Sequence, residues 1–140
     1  MLMKEIGVVF RGFVLSQWQF EKEIDIIIEH MKGAFLSAIT SFTRSIFSED
    51  LFYIESNHYT VAFCRRKINS CDTICGENII AYAVLENRKS KKMDKVIEKK
   101  IKPKLNNVLE MFSEKYNGRN LASLDLFDSF KSEIEVIMKN

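Results

Sequence analysis

Three cysteines and two histidines are the side chains in this sequence best suited to metal or thiol chemistry. Cys71 and Cys75 are separated by three residues, and His58 and Cys64 precede them. Structural zinc sites usually hold two close pairs of ligands, but only one close pair is present here. Redox-active cysteine pairs usually follow the spacing C-x-x-C, which this pair does not. We therefore predict no metal site and no redox-active cysteine pair.

Motifs for nucleophilic catalysis and for glycine-rich phosphate loops are missing from the sequence. It contains no G-x-S-x-G segment, and its five glycines never form G-x-G-x-x-G or G-x-x-x-x-G-K. His30 falls in a predicted helix and His58 in a predicted turn. We therefore predict that the protein is not an enzyme, has no catalytic residues and needs no cofactor.

A basic stretch over residues 88–104 is the strongest charge feature of the chain. It holds nine lysines and arginines against Asp94 and Glu98, a net charge of +7, although the whole chain carries only +2. Four lysines spaced by 3, 4 and 3 positions share one helix face, namely Lys92, Lys95, Lys99 and Lys102. This face predicts contact with an acidic surface, namely the periphery of an anionic membrane, a nucleic acid or an acidic protein. The alternative is the solvated face of an amphipathic helix.

A strip of small residues lies inside a strongly helical segment, "HMKGAFLSAITSF" at positions 30–42. Large apolar side chains recur there at helical spacing, so one face of a helix over residues 22–47 is predicted to face a core. Small side chains lie beside that face or further round the helix, namely Gly33, Ala34, Ser37, Ala38 and Ser41. Small residues permit the close approach of another backbone. The strip is therefore a predicted partner-binding surface, with close packing inside the protein itself as the alternative.

Hydrophobic periodicity predicts the elements that surround these features. Strands are predicted at 5–10, 13–20, 51–55, 59–64 and 79–85. Helical spacing returns at 93–116 with Pro103 inside it, which predicts either a kink at Pro103 or a second helix with Pro103 in its first turn. It returns again from residue 124. The predicted fold class is α+β: a five-stranded, mainly antiparallel sheet flanked by helices, in the order β-β-α-β-β-β-α-α. Residues 1–140 are predicted to form a single domain.

Composition and length favour a globular domain in a reducing compartment. Apolar residues make up 46% of the chain and charged residues 29%, which argues against wholesale disorder. No apolar run approaches the ~18–20 residues that span a bilayer, and no secretory signal is recognised. Three cysteines are a poor basis for a disulfide framework. We expect a cytoplasmic protein, and no nucleic-acid partner, because the basic stretch has no interleaved aromatic residues.

Three local segments and the order of predicted elements resemble longin domains of the longin/roadblock superfamily, in particular small stand-alone longin-like proteins of archaea. In those proteins a G-x-L-S-A-I-x-S-F-like segment lies in the helix after the first hairpin, and residues 33–42 read GAFLSAITSF here. The segment IESNHYTVAF at 54–63 is similar to their next hairpin. The spacing of Phe112 and Tyr116, followed by a terminal helix, also fits. The resemblance covers nearly the whole chain.

The resemblance implies an adaptor that works by protein–protein contacts. Longin and roadblock domains dimerise, bind small GTPases and serve trafficking or polarity machinery. The implied partners are therefore a small GTPase, another longin or roadblock domain, or a second copy of this chain in a homodimer. The alternative resemblance is to PAS/profilin-like domains that sense small ligands. In that case the core around Trp18 and Tyr82 would enclose the ligand pocket.

Overall fold

The computed structural model describes five strands, one π-helical turn and two α-helices. The described residues are 3–10, 13–19, 51–55, 59–69, 71, 76–86, 95, 97–118 and 130–139. The strands are β1 (Met3–Phe10), β2 (Phe13–Gln19), β3 (Leu51–Glu55), β4 (Tyr59–Ile68) and β5 (Glu77–Glu86). The helices are the π-helical turn (Ile97–Ile101), α1 (Lys102–Tyr116) and α2 (Phe130–Lys139).

The five strands form one sheet in the order β2-β1-β5-β4-β3, and every pairing in it is antiparallel. The predicted hairpin of β1 and β2 is confirmed: its register runs from Glu5 opposite Gln19 to Phe10 opposite Phe13. Strand β5 lies at the centre of the sheet, which explains its nearly continuous apolar sequence. Its neighbours are β1 and β4, so both of its edges are hydrogen-bonded.

One face of the sheet carries the main hydrophobic core. Alternate residues of the strands point to this face, for example Ile6, Val8 and Phe10 of β1. Helix α1 packs on β4 and β5, while α2 contacts β2 and α1. The two helices are joined by an aromatic cluster. In it, the ring of Phe130 lies edge-on to Phe112 at 5.1 Å between centroids.

The opposite face of the sheet is buried as well, around Val9, Phe63, Ile80 and Tyr82. Tyr82 lies directly across from Gly7 in the β1–β5 register. Its hydroxyl donates a hydrogen bond to the carboxyl group of Glu5, which is fully buried at 0% exposure. Burial of a carboxyl group requires such partners, because desolvation without a hydrogen bond is costly.

The helical segment around Pro103 changes its winding. Residues Ile97–Ile101 form a π-helical turn, and α1 begins immediately after it, with Pro103 as its second residue. Proline is tolerated in the first turn of a helix, where its missing N–H is least needed. Asn117 and Gly118 end α1 as predicted, and Gly118 has a φ of +82°. Among the described residues, no helix is long and apolar enough to cross a membrane.

The fold class predicted from the sequence is wrong as stated, although the general α+β class is compatible with the structure. The described elements follow the order β-β-β-β-β-π-α-α, not β-β-α-β-β-β-α-α. Helices α1 and α2 do not flank the sheet, because both belong to the core cluster on one face. The aromatic cluster that joins them is the physical reason for this side-by-side arrangement. The predicted helix over 22–47 lies outside the described residues.

Candidate functional site

A basic cleft lies between the second half of β4 and the first half of α1. It has a volume of about 550 Å³. Its lining residues are Cys64, Arg65, Arg66, Lys67, Asn78, Lys102, Asn106, Leu109 and Glu110. We call the cleft that these residues line the basic cleft.

The strand side of the basic cleft is the part of β4 that extends beyond its pairing with the edge strand β3. The register of β3 and β4 ends with Leu51 opposite Cys64, whereas β4 continues to Ile68. The stretch of β4 beyond Cys64 pairs only with β5 among the described strands, and Lys67 lies opposite Asn78 there. Within the described part of the chain, the three cationic residues after Cys64 therefore lie on a strand that is hydrogen-bonded on one side.

The helix side of the basic cleft is one face of α1. Lys102, Asn106, Leu109 and Glu110 follow the spacing i, i+4, i+7 and i+8, which brings residues to the same side of an α-helix. The Cys64 thiol donates to Oδ1 of Asn106 across the cleft, with 3.7 Å between sulfur and oxygen. This contact links the two walls directly.

The far end of α1 is tied to the end of β4. The backbone N–H of Gly118 donates to the carbonyl of Asn69 at 2.6 Å. The N–H of Asn69 in turn donates to Oδ1 of Asn117 at 2.7 Å. Because the last turn of α1 is fixed to the strand, the position of its first turns beside Arg66 is constrained too.

Positive charge dominates the basic cleft. Arg65, Arg66, Lys67 and Lys102 are among its lining residues, against the single carboxylate of Glu110. Of the three β4 cations, Arg66 lies on the face of Cys64 and α1, while Arg65 and Lys67 alternate to the face of Phe63. Arg66 and Lys67 are exposed, while Arg65 and Lys102 are half-buried. Arginine offers a planar fork of donors that matches phosphate and carboxylate oxygens, and the side-chain amides of asparagine add neutral donors. The arrangement can hold an anion by direct hydrogen bonds as well as by charge.

The predicted lysine face is only partly gathered at this site. Lys102 lines the basic cleft, whereas Lys95 and Lys99 are exposed and are not among its lining residues. Lys92 lies outside the described residues. The π-helical turn contains Lys99 and alters the angular spacing on which the one-face prediction depends.

The other predicted sites are separated from the basic cleft or lie outside the described residues. The small-residue strip falls outside them entirely; its members are Gly33, Ala34, Ser37, Ala38 and Ser41. Trp18 packs against the core on the helix side of the sheet, while Tyr82 belongs to the cluster on the opposite face. The structure therefore does not bring these two aromatic residues together around one pocket.

The cysteines are dispersed in the part of the chain that the structure describes. Cys64 is buried and Cys71 is exposed, while Cys75 and His58 fall outside that part. Among the described residues, no group of three or more His, Cys, Asp or Glu side chains is placed to hold a metal ion. Cys64 serves here as a wall of the basic cleft.

Sequence reasoning missed most of the residues that line the basic cleft, namely Cys64, Arg65, Arg66, Lys67, Asn78, Asn106, Leu109 and Glu110. Two signals were available. The triplet Arg65-Arg66-Lys67 places three consecutive cations directly after the strand predicted at 59–64. In addition, residues 102, 106 and 110 repeat polar side chains at intervals of four. Neither signal predicts that β4 and α1 lie next to each other in the fold.

Comparisons with known proteins give no match. No family model matches the chain. No curated protein and no solved structure matches it. The longin resemblance, the adaptor role and the implied partners therefore stay predictions.

Proposed function

We propose that this protein is a binding module that uses the basic cleft to recognise an anionic group presented by a partner. The observation that supports this most strongly is that Arg66 of β4 and Lys102 of α1 line one concave site. These two residues are more than thirty positions apart in sequence, so folding brings them to the same site.

Shape is as important to the proposal as charge. A cleft lined by one sign of charge focuses the electric field more strongly than a flat exposed face does. Exposed lysines such as Lys95 and Lys99 interact with anions mainly through screened, long-range attraction. Half-buried Lys102 beside Arg66 can instead make short charge-assisted hydrogen bonds.

This proposal retains the interaction role that the longin resemblance implies and makes it more specific. A small GTPase, another longin or roadblock domain, or a second copy of the chain stays the implied partner, in a cytoplasmic setting. The basic cleft adds that the contacting group of such a partner carries negative charge. The non-enzymatic character stays part of the same proposal.

The direct test is binding of a fluorescein-labelled oligoglutamate peptide, measured by anisotropy at low salt. The double variant Arg66→Gln/Lys102→Gln removes two charges from the basic cleft. The matched control Lys99→Gln/Lys100→Gln removes two exposed charges from the neighbouring π-helical turn. We expect the cleft variant to weaken binding about tenfold or more and the control to weaken it only about twofold, because charge-assisted hydrogen bonds exceed screened attraction.

Equal losses in the two double variants would mean that binding depends on net charge alone, and the proposal would be wrong. Complete absence of peptide binding by the unmodified protein at low salt would also show that the proposal is wrong. Circular dichroism melting of each variant checks that a loss of binding is not a loss of folding.

A further inference from the structure

We propose, on the basis of the function above, that the anionic group belongs to an extended acidic segment of a partner protein. This segment pairs as an added strand with the edge of β4 at residues 65–68. Its carboxylates alternate between the two faces of the sheet, as the cations of β4 do. The basic cleft receives the carboxylates on the face where α1 packs, and Arg65 and Lys67 receive those on the opposite face.

The edge of β4 at residues 65–68 offers main-chain groups to such a strand. The pairing with β3 ends at Cys64, and among the described strands residues 65–68 pair only with β5. At about 3.3 Å per residue this edge is roughly 13 Å long, which accommodates about four residues of an added strand. It ends at Asn69, whose N–H donates to Asn117 and whose carbonyl accepts from Gly118. A peptide that adds to such an edge gains affinity from main-chain hydrogen bonds.

The cations of β4 are distributed over both faces of the sheet. Cys64 and Ile68 belong to the core on the α1 side, so Arg66 between them lies on that face. Arg65 and Lys67 alternate to the opposite face, and no register shift interrupts the pairing with β5 over this stretch. Directly opposite residues of paired strands point to the same face. Consecutive carboxylates of an added strand therefore meet cations on both faces.

Charge selects the occupant of this edge. Positions 65–67 are all cationic, and Lys102 of α1 adds positive charge in the basic cleft. A second copy of the chain that paired through the same edge would place cations opposite cations, which destabilises a strand pair. A nucleic acid or a small phosphorylated compound supplies anions but not the peptide N–H and C=O groups with which a strand edge pairs. A run of Asp or Glu residues in an extended peptide supplies both.

The first test compares single variants of the full chain by anisotropy with fluorescein-labelled hexaglutamate at low salt. Arg66→Gln and Lys67→Gln each remove one exposed charge, from opposite faces of β4. We expect each to weaken binding about fivefold or more, and the exposed control Lys99→Gln to weaken it less than about twofold. If Arg66→Gln weakens binding but Lys67→Gln behaves like the control, the peptide contacts only the α1 face. The added strand is then overturned, while the proposed function stands.

The second test removes main-chain donors from the peptide without changing its charge. Successive N–H groups of an extended strand point to opposite edges, so N-methylation of the two central residues of hexaglutamate removes a donor from each edge. We expect the methylated peptide to bind about tenfold more weakly. Equal affinity of the two peptides overturns strand pairing. Loss of both peptides in Arg66→Gln/Lys102→Gln would still support binding in the basic cleft.

Amide hydrogen exchange, followed by nuclear magnetic resonance, distinguishes the partner from other occupants of the edge. The amides within residues 65–68 that point away from β5 should exchange rapidly in the free chain. Their exchange should slow about tenfold or more when hexaglutamate saturates the protein. Unchanged exchange at saturation overturns the proposal. Slow exchange of all these amides in the free chain overturns it too, because another part of the chain or a second copy then already occupies the edge.

Discussion

At the scale of single residues, the contact between Gly7 and Tyr82 explains why a glycine stands in a central strand pair. A Cβ atom built on Gly7 would lie 2.7 Å from both Cε1 and the hydroxyl oxygen of Tyr82. The phenol ring therefore crosses the strand where no side chain obstructs it, and its hydroxyl reaches the buried carboxyl group of Glu5. Glycine weakens a strand in general, but here it permits a buried hydrogen bond.

Replacing Gly7 with alanine should destabilise the fold by about 1–3 kcal/mol, because the buried Tyr82 ring has to move. Urea denaturation followed by circular dichroism measures the loss. In a Tyr82→Leu background the clash is absent, so the same substitution should cost clearly less, which a double-mutant cycle reports as coupling. Additive losses in the free energy of unfolding would show that the position of the Tyr82 ring does not depend on glycine at residue 7.

The ion pair between Lys115 of α1 and Glu133 of α2 predicts a pH dependence. Its Nζ and Oε1 atoms are 3.1 Å apart, and both side chains are about one-third exposed, at 36% and 34%. The hydrogen bond to Glu133 raises the pKa of Lys115 above its ordinary value, partly opposed by desolvation. Since the pKa of Lys115 is raised in the folded state, the ion pair stabilises the fold fully at pH values below the unfolded-state pKa of Lys115. This stabilisation of the fold is lost as pH rises through the folded-state pKa.

Glu133→Gln should therefore lower the free energy of unfolding by roughly 0.2–1 kcal/mol at pH values near 8, a small effect because solvent screens the pair. The difference between this variant and the unmodified protein should shrink as the pH rises through the alkaline titration of Lys115. Urea titrations at neutral and at strongly alkaline pH measure it. A difference that persists unchanged into strong alkali would contradict the assigned role of the ion pair.

At the scale of elements, the attachment of α2 depends on its first residue. Phe130 is fully buried, and its ring is 5.1 Å from Phe112 and 6.0 Å from Tyr116 between centroids. Farther along the same helix, Val136 is 58% exposed. The contrast shows that α2 is held by its inward face, which packs on the aromatic residues of α1 and also contacts β2.

Phe130→Ala should lower the free energy of unfolding by about 3–5 kcal/mol, because it leaves a cavity within the aromatic cluster. Val136→Ala on the same helix should change it by less than about 0.5 kcal/mol, since that side chain is mostly in water. Denaturant unfolding compares the two variants. Similar losses in both would mean that α2 is held by its helix propensity and not by this contact.

Element by element, the sequence was a good guide where one simple period governs a segment. The hairpin of β1 and β2 and the end of α1 at Gly118 follow from alternation and from glycine chemistry. The π-helical turn before Pro103 could not be predicted, because the apolar spacing there fits an ordinary α-helix. The side of the sheet chosen by α2 could not be predicted either, since it depends on the contact of Phe130 with α1.

At the scale of the whole molecule, the nearly neutral net charge conceals a strongly uneven distribution. Residues 88–104 carry +7 within a chain of net +2, so the remainder is acidic. Sequence reasoning located the positive charge but assigned it to one helix face. In the structure, Lys102 of that predicted face lines the basic cleft together with Arg65, Arg66 and Lys67 of β4. The site depends on a tertiary contact between two segments that no local pattern connects.

The most direct test of the central claim, that an anionic group binds in the basic cleft, is a nuclear magnetic resonance titration of the full chain with the oligoglutamate peptide. The side-chain signals of Arg66 and Asn106 report from the two walls, and the backbone amides of Lys99 and Lys100 report from the exposed basic turn. We predict saturable shifts of the Arg66 and Asn106 signals, with smaller shifts at the two lysines. Shifts at the lysines, with the Arg66 and Asn106 signals unmoved at saturation, would contradict the claim.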